Sequence, residues 1–260
     1  MEKFYLYHDK NLSRSEIEKL NNAKLVATKT EHPSFLKVVK MLEGKNFLDL
    51  GCAYGELSRV LAEKGFIVHG IDRVESFITI AKEFNSTPNT YYEKRDFLEE
   101  PFPDETFDGI IFLETIEHVE NPAQYLKEFH RILKPEGYFI VSTPNATSLK
   151  NMFYALSYRS KNKRNKIIKE IASEPRQTGN QLEHIYNWDF PTLVRLFDRC
   201  GFNVVDHAYS GTSIKIPFFG KKYKFRREPK IFNKIEPLKK TQILKCKKKS
   251  NETRNKKTTY

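Results

Sequence analysis

Phe47-Leu48-Asp49-Leu50-Gly51-Cys52-Ala53-Tyr54-Gly55 decides the fold. An apolar strand ends in a carboxylate, passes through a turn with small residues at every second position, and enters the helical pattern of residues 55–64. In an open α/β sheet, ligands sit outside the carboxyl ends of the strands, where small residues let backbone approach them closely. Asp49 narrows the choice of ligand. It would repel a pyrophosphate seated on the following helix N-terminus and attract the ammonium of an amino-acid moiety. Ala53 occupies the middle small position, and alanine there is expected to keep a negative φ.

Outward from this turn, short apolar runs alternate with helical stretches. Strands are expected at 46–50, 67–71, 90–94, 107–113 and 138–142, and helices at 55–64, 75–84 and 123–133. Strands alternating with helices at this spacing imply parallel neighbours joined by crossovers. After Pro144 the rhythm breaks into an insertion over 148–181, apolar at first and then basic, before a helix at 191–200 and a strand at 203–208 resume it. A last alternation, 241–246, reads as a terminal antiparallel strand. The fold class is therefore α/β: a doubly wound, Rossmann-like, seven-stranded and mostly parallel sheet with helices on both faces and a helical lid insertion. Three regions follow, a helical segment over 1–45, the α/β domain over 46–212 and a basic region over 213–260.

Residues 213–260 hold 17 Lys and Arg against 3 Asp and Glu, whereas the chain as a whole has 45 against 33. The net charge of +12 thus belongs to that region. It reads as a solvated end, or as a surface for nucleic acid, an anionic membrane or an acidic partner. Cys52, Cys200 and Cys246 are scattered without a CxxC pair, which points away from a disulfide framework and towards a reducing, cytoplasmic setting. No run approaches the ~18 apolar residues of a membrane span.

Two further acids complete the ligand side. Asp72 ends the second strand about 20 residues past the turn, where a carboxylate can accept from both ribose hydroxyls, and Asp96-Phe97 follows the third. In order, Asp49–Gly55, Ile71-Asp72, Arg95-Asp96-Phe97, Phe102–Phe112 and Leu133–Tyr138 resemble the motifs of the class I S-adenosylmethionine-dependent methyltransferases, in motif style the ubiquinone-biosynthesis O-methyltransferases. The resemblance covers roughly residues 46–208. It implies that Asp49, Gly51, Cys52, Ala53 and Gly55 hold the methionine end, Asp72 with Arg73 the ribose, Asp96 and Phe97 the adenine, and Leu113 and Glu114 the methionine side near the sulfur.

Glu114-Thr115-Ile116-Glu117-His118 follows the fourth strand, where the transferable methyl should point. It also resembles the ExxEH motif of small-RNA 2′-O-methyltransferases, in which carboxylates and histidines bind a divalent ion, and His184 could supply a further ligand. His118, with His184, reads as a general base for a hydroxyl acceptor, as a metal ligand or as a structural residue. The acceptor reading is a small molecule or glycan, with RNA approached through the basic region as the alternative and a non-catalytic binding protein on the same fold as the third. The insertion is placed to cover the acceptor, and its apolar and basic parts also suit an interfacial helix.

Overall fold

The structure is a computed structural model that describes residues 33–173, 184–212, 217–218, 221–222 and 239–250. Residues 1–32 of the expected helical segment, the end of the insertion over 174–181, most of 213–238 and residues 251–260 lie outside the described residues. In chain order the elements are α1 Pro33–Met41, β1 Asn46–Leu50, α2 Glu56–Ala62, β2 Ile67–Asp72, α3 Glu75–Phe84, β3 Thr90–Lys94, β4 Phe107–Leu113, α4 Pro122–Ile132, β5 Leu133–Pro144, α5 Leu149–Ser157, α6 Lys161–Ser173, α7 Phe190–Arg199, β6 Phe202–Thr212, the short β7 Pro217–Phe218 and β8 Lys221–Lys222, and β9 Lys239–Lys248.

Seven strands form one sheet in the order β3-β2-β1-β4-β5-β9-β6. β3 through β5 run parallel, and β9 is antiparallel to both of its neighbours. The winding reverses between β1 and β4, so the connections after those strands leave on opposite sides and open a crevice at their carboxyl ends. The central strands are covered on both faces and are therefore buried almost throughout. Leu48, Ile110, Phe112, Phe139 and Val141 pack with α4 and α7 on one face, while Phe47, Val68, Ile111 and Ile140 pack with α1 and α2 on the other.

Helix starts follow local chemistry. Asn121 and Asp189 cap α4 and α7 by accepting from Gln124 N and Thr192 N, each with proline in the first turn. The alternation expected at 241–246 runs over Lys239–Lys248 and lies inside the sheet, with Ile243, Leu244 and Cys246 fully buried. The change in charge at residue 213 is therefore not the end of the sheet. Lys245 is accommodated in this interior by a pairing with Glu43 and by placing its ammonium 4.3 Å from the Tyr138 ring centroid.

Phe139 meets the rings of Phe129, Phe197 and Phe202 edge-on at 5.5, 5.1 and 4.9 Å and so joins α4, α7 and β6. Phe139→Ala should lower the unfolding free energy by about 3–5 kcal/mol, read as a shift of the urea midpoint at unchanged slope; a loss within the range of a surface substitution would contradict this packing.

Candidate active site

The turn after β1 is built by hydrogen bonds from β2. Gly51 N and Cys52 N both donate to the Ile71 carbonyl, at 2.9 and 3.0 Å. Gly51 and Gly55 take φ values of 75° and 78°. A Cβ on Gly51 would lie 2.7 Å from Thr115 Oγ1, and one on Gly55 would lie 2.6 Å from the Tyr92 ring. Both positions need glycine for conformation and for space. Ala53 departs from the expected negative φ and sits at 48°. Its N–H donates to Asp72 Oδ2 at 3.1 Å, and this bond holds a conformation that alanine alone disfavours by about 1–2 kcal/mol.

Asp49 is nearly fully buried beneath the turn, where Ser58 Oγ of α2 donates to its Oδ2 at 2.6 Å. Burial pushes its pKa up to about 6, against the lowering effect of the Ser58 bond. The Cys52 side chain is also buried, among Ile78, Ala81 and Tyr92, so only its backbone belongs to the turn. Asp72 uses both oxygens: Oδ2 on Ala53 N and Oδ1 on Val74 N. A carboxylate oxygen can accept more than one hydrogen bond, so these two bonds are compatible with a ribose hydroxyl at the same group. Beyond β3, Asp96 Oδ1 accepts from Leu98 N.

Phe97 does not form a wall of this crevice. It is 2% exposed, stacked on Tyr125 at 5.4 Å and edge-on to Phe129, because the chain turns inward after β3 and the aromatic side chain joins the core. Tyr125, a residue the motif reading passes over, has the relevant neighbours. Burial raises its phenol pKa, exposed Arg73 lowers it and Asp96 raises it, which puts the three groups within electrostatic reach of one another. Tyr125 lies on α4, far from every motif, and no local signal marks it.

Across the switch point, β4 ends in half-buried Leu113 and then Glu114 at φ 48°. Glu114 N donates to the Ser142 carbonyl, and Ser142 Oγ donates to Glu114 Oε1 at 2.7 Å. Burial raises the Glu114 pKa. Glu117 is 1% exposed; Thr143 Oγ1 donates to its Oε2 at 3.0 Å, while its buried Oε1 has no partner. Burial, then the charge of Glu114, push the Glu117 carboxyl up to about 8.

His118 and His184 meet edge-to-face with ring centroids 4.7 Å apart, and burial lowers the His184 pKa. Backbone bonds deliver His184 to this place: Ile185 N and Tyr186 N donate to the Glu117 carbonyl, and Ala146 N with Gln242 Nε2 of β9 donate to the Trp188 carbonyl. Glu117, His118 and His184 each offer one ligand atom, all within 4.8 Å of one another. A carboxylate and two imidazoles, one of them kept neutral, form a donor set that suits a divalent cation, and the unpartnered Glu117 Oε1 fits either a proton or such an ion.

The description of the family whose model matches residues 27–207 is a methyltransferase domain. Ubiquinone biosynthesis O-methyltransferases are similar to this chain: that of Pseudomonas aeruginosa is 36% identical over 107 residues, covering 40% of this chain and 46% of that protein, and that of Coxiella burnetii is 36% identical over 119 residues, covering 44% and 51%. The chain thus spans about half the length of the curated relatives it matches. In solved structures the fold recurs in an S-adenosylmethionine-dependent methyltransferase from Thermotoga maritima, with a TM-score of 0.57 at 19% identity over 90% of this chain and 97% of that one. It recurs again in one from Archaeoglobus fulgidus, with a TM-score of 0.55 at 18% identity over 88% and 94%.

In the folded chain Glu117 holds its proton up to about pH 8, against 4.5 in an unfolded one. The folded state therefore binds the extra proton, and the stability this contributes is complete below pH 4.5 and is lost as the pH rises through 8. Thermal unfolding of metal-free protein should show Tm declining across that window, and Glu117→Gln should flatten the decline. Parallel slopes for the two proteins would refute the assignment.

Proposed function

The chain belongs to the methyltransferase-domain family, and on that premise we propose that it transfers the methyl group of S-adenosylmethionine to a hydroxyl of a small-molecule or glycan acceptor. The observation that carries this reading is the pairing, across the switch point, of an Asp49–Asp72 turn made for a cationic nucleoside with a His118–His184 imidazole pair. The similarity to the ubiquinone biosynthesis O-methyltransferases supports a hydroxyl acceptor. The free thiols of Cys52, Cys200 and Cys246 support a reducing, cytoplasmic setting. Among the described residues no helix is long and apolar enough to cross a membrane.

When bound, the cofactor supplies a methyl group already activated by a sulfonium. The protein's part is to hold partners. The Gly51–Gly55 turn, with Asp49 beneath it, takes the methionine end; Asp72 takes the ribose hydroxyls; Asp96, Arg73 and Tyr125 surround the adenine; and Leu113 and Glu114 flank the reacting centre. Holding the acceptor oxygen in line contributes roughly 7–11 kcal/mol by effective-molarity arguments. His118 accepts the proton the hydroxyl loses, with His184 set edge-on beside it.

A second reading draws on the cluster of Glu117, His118 and His184. Those three side chains would hold a divalent ion, whose chemistry is to lower the pKa of a coordinated hydroxyl. An RNA 2′-hydroxyl would be the corresponding acceptor, met by the basic region over 213–260. Labelled-methyl assays on hydroxylated small molecules, glycans and short RNA, with chelator and with added divalent ion, separate the two. Cofactor uptake with no turnover on any acceptor would leave a binding protein.

His118→Ala should lower kcat about 10²–10⁴-fold with adenosylhomocysteine affinity by calorimetry unchanged. Asp72→Ala should do the converse, weakening that affinity by at least roughly tenfold. A His118→Ala protein with full turnover removes the imidazole from the mechanism.

A further inference from the structure

We propose that the α5–α6 insertion is a docking surface for an anionic lipid bilayer. In α5 the apolar residues Leu149, Met152, Phe153 and Leu156 recur at the i, i+3, i+4, i+7 spacing of one helix face. That face points to solvent. The four side chains are 40, 50, 69 and 55% exposed, Ile168 of α6 is 64% exposed, and α5 has no buried residue. An amphipathic helix ordinarily turns its apolar stripe to the core; here the polar side does so, with Asn151 Nδ2 donating to the Asn145 carbonyl at 2.8 Å and Ser148 Oγ accepting from Asn151 N.

The charge around this stripe chooses the occupant. Between residues 148 and 173 the sequence carries seven Lys and Arg, from Lys150 to Lys169, against Glu170 alone. α6 is tied to α5 by Lys163, whose ammonium lies 5.3 Å from the Tyr154 ring centroid, and by Arg164, which donates to the Tyr158 and Arg159 carbonyls. An aliphatic stripe with cations beside it matches acyl chains beneath anionic headgroups. RNA would use the cations but gain nothing from Leu149, Met152 or Leu156. A second copy in a two-fold contact would set like charges against each other. The insertion leaves β5 at the end of the sheet that carries Glu114 and Glu117, so docking brings the candidate active site to the membrane surface.

The proposal does not rest on methyl transfer, and its test is run without cofactor. The full chain is co-sedimented with vesicles of phosphatidylcholine alone, and with vesicles in which phosphatidylglycerol replaces a third of it. Retention is expected on the anionic vesicles only, weakening as salt is added. The double variant Met152→Ser, Phe153→Ser, altered only at exposed positions, should reduce partitioning roughly tenfold or more; an unchanged circular dichroism spectrum and urea midpoint confirm that it folds. Lys163→Glu with Lys166→Glu should reduce partitioning as well. The proposal is overturned if anionic vesicles retain nothing, if the serine variant is retained as well as the parent, or if that variant instead dissolves a dimer or loses binding to a short RNA.

Discussion

The Asp72 carboxylate, accepting from Ala53 N with one oxygen and from Val74 N with the other, ties the end of β2 to the turn that follows β1. The candidate active site depends on this clamp. It holds Ala53 in the left-handed region and, with the paired bonds from Gly51 N and Cys52 N to Ile71, keeps the turn closed over Asp49. Parallel strands make the clamp available, because Asp49 stands opposite Gly70 in the β1–β2 register and the two strands end together.

Three acids, Asp49 and Glu117 buried and Glu114 half-buried, then share one electrostatic condition. Asp49, Glu114 and Glu117 are each bonded by a hydroxyl, from Ser58, Ser142 and Thr143, and burial raises the pKa of each. A hydroxyl satisfies a lone pair but does not neutralise charge. A cationic ligand nearby would restore the ionised forms, which is consistent with a sulfonium and ammonium at Asp49 and with a proton or a divalent ion at Glu117. The second half of the site is held from a distance: β9 enters the sheet between β5 and β6, and its Gln242 fixes the segment that presents His184. The C-terminal strand thereby helps to position the candidate site.

Much of this was legible in local patterns. The strand–turn–helix unit at 46–62 shows in period and in small residues, and the caps of α4 and α7 show in Asn121-Pro122 and Asp189-Phe190-Pro191. His118 and His184 were singled out by their motifs, yet only folding brings their rings to 4.7 Å. The sequence marks Phe97 by its motif position but not the burial of its ring in the core, and it does not mark Tyr125, whose neighbours Arg73 and Asp96 come from other segments.

By itself the sequence determined the alternation of strands and helices, the acids at the strand ends and the glycines of the turn, since these depend on short-range periodicity and backbone conformation. Tertiary structure decided the φ of Ala53, the inner place of β9, the meeting of Glu117 with both histidines and the outward face of α5. The first three are set by partners remote in the chain: a carboxylate 19 residues away for Ala53, the flanking strands β5 and β6 for β9, and a carbonyl on β4's following loop for the His184 segment. Local propensity carries no information about which distant group will arrive.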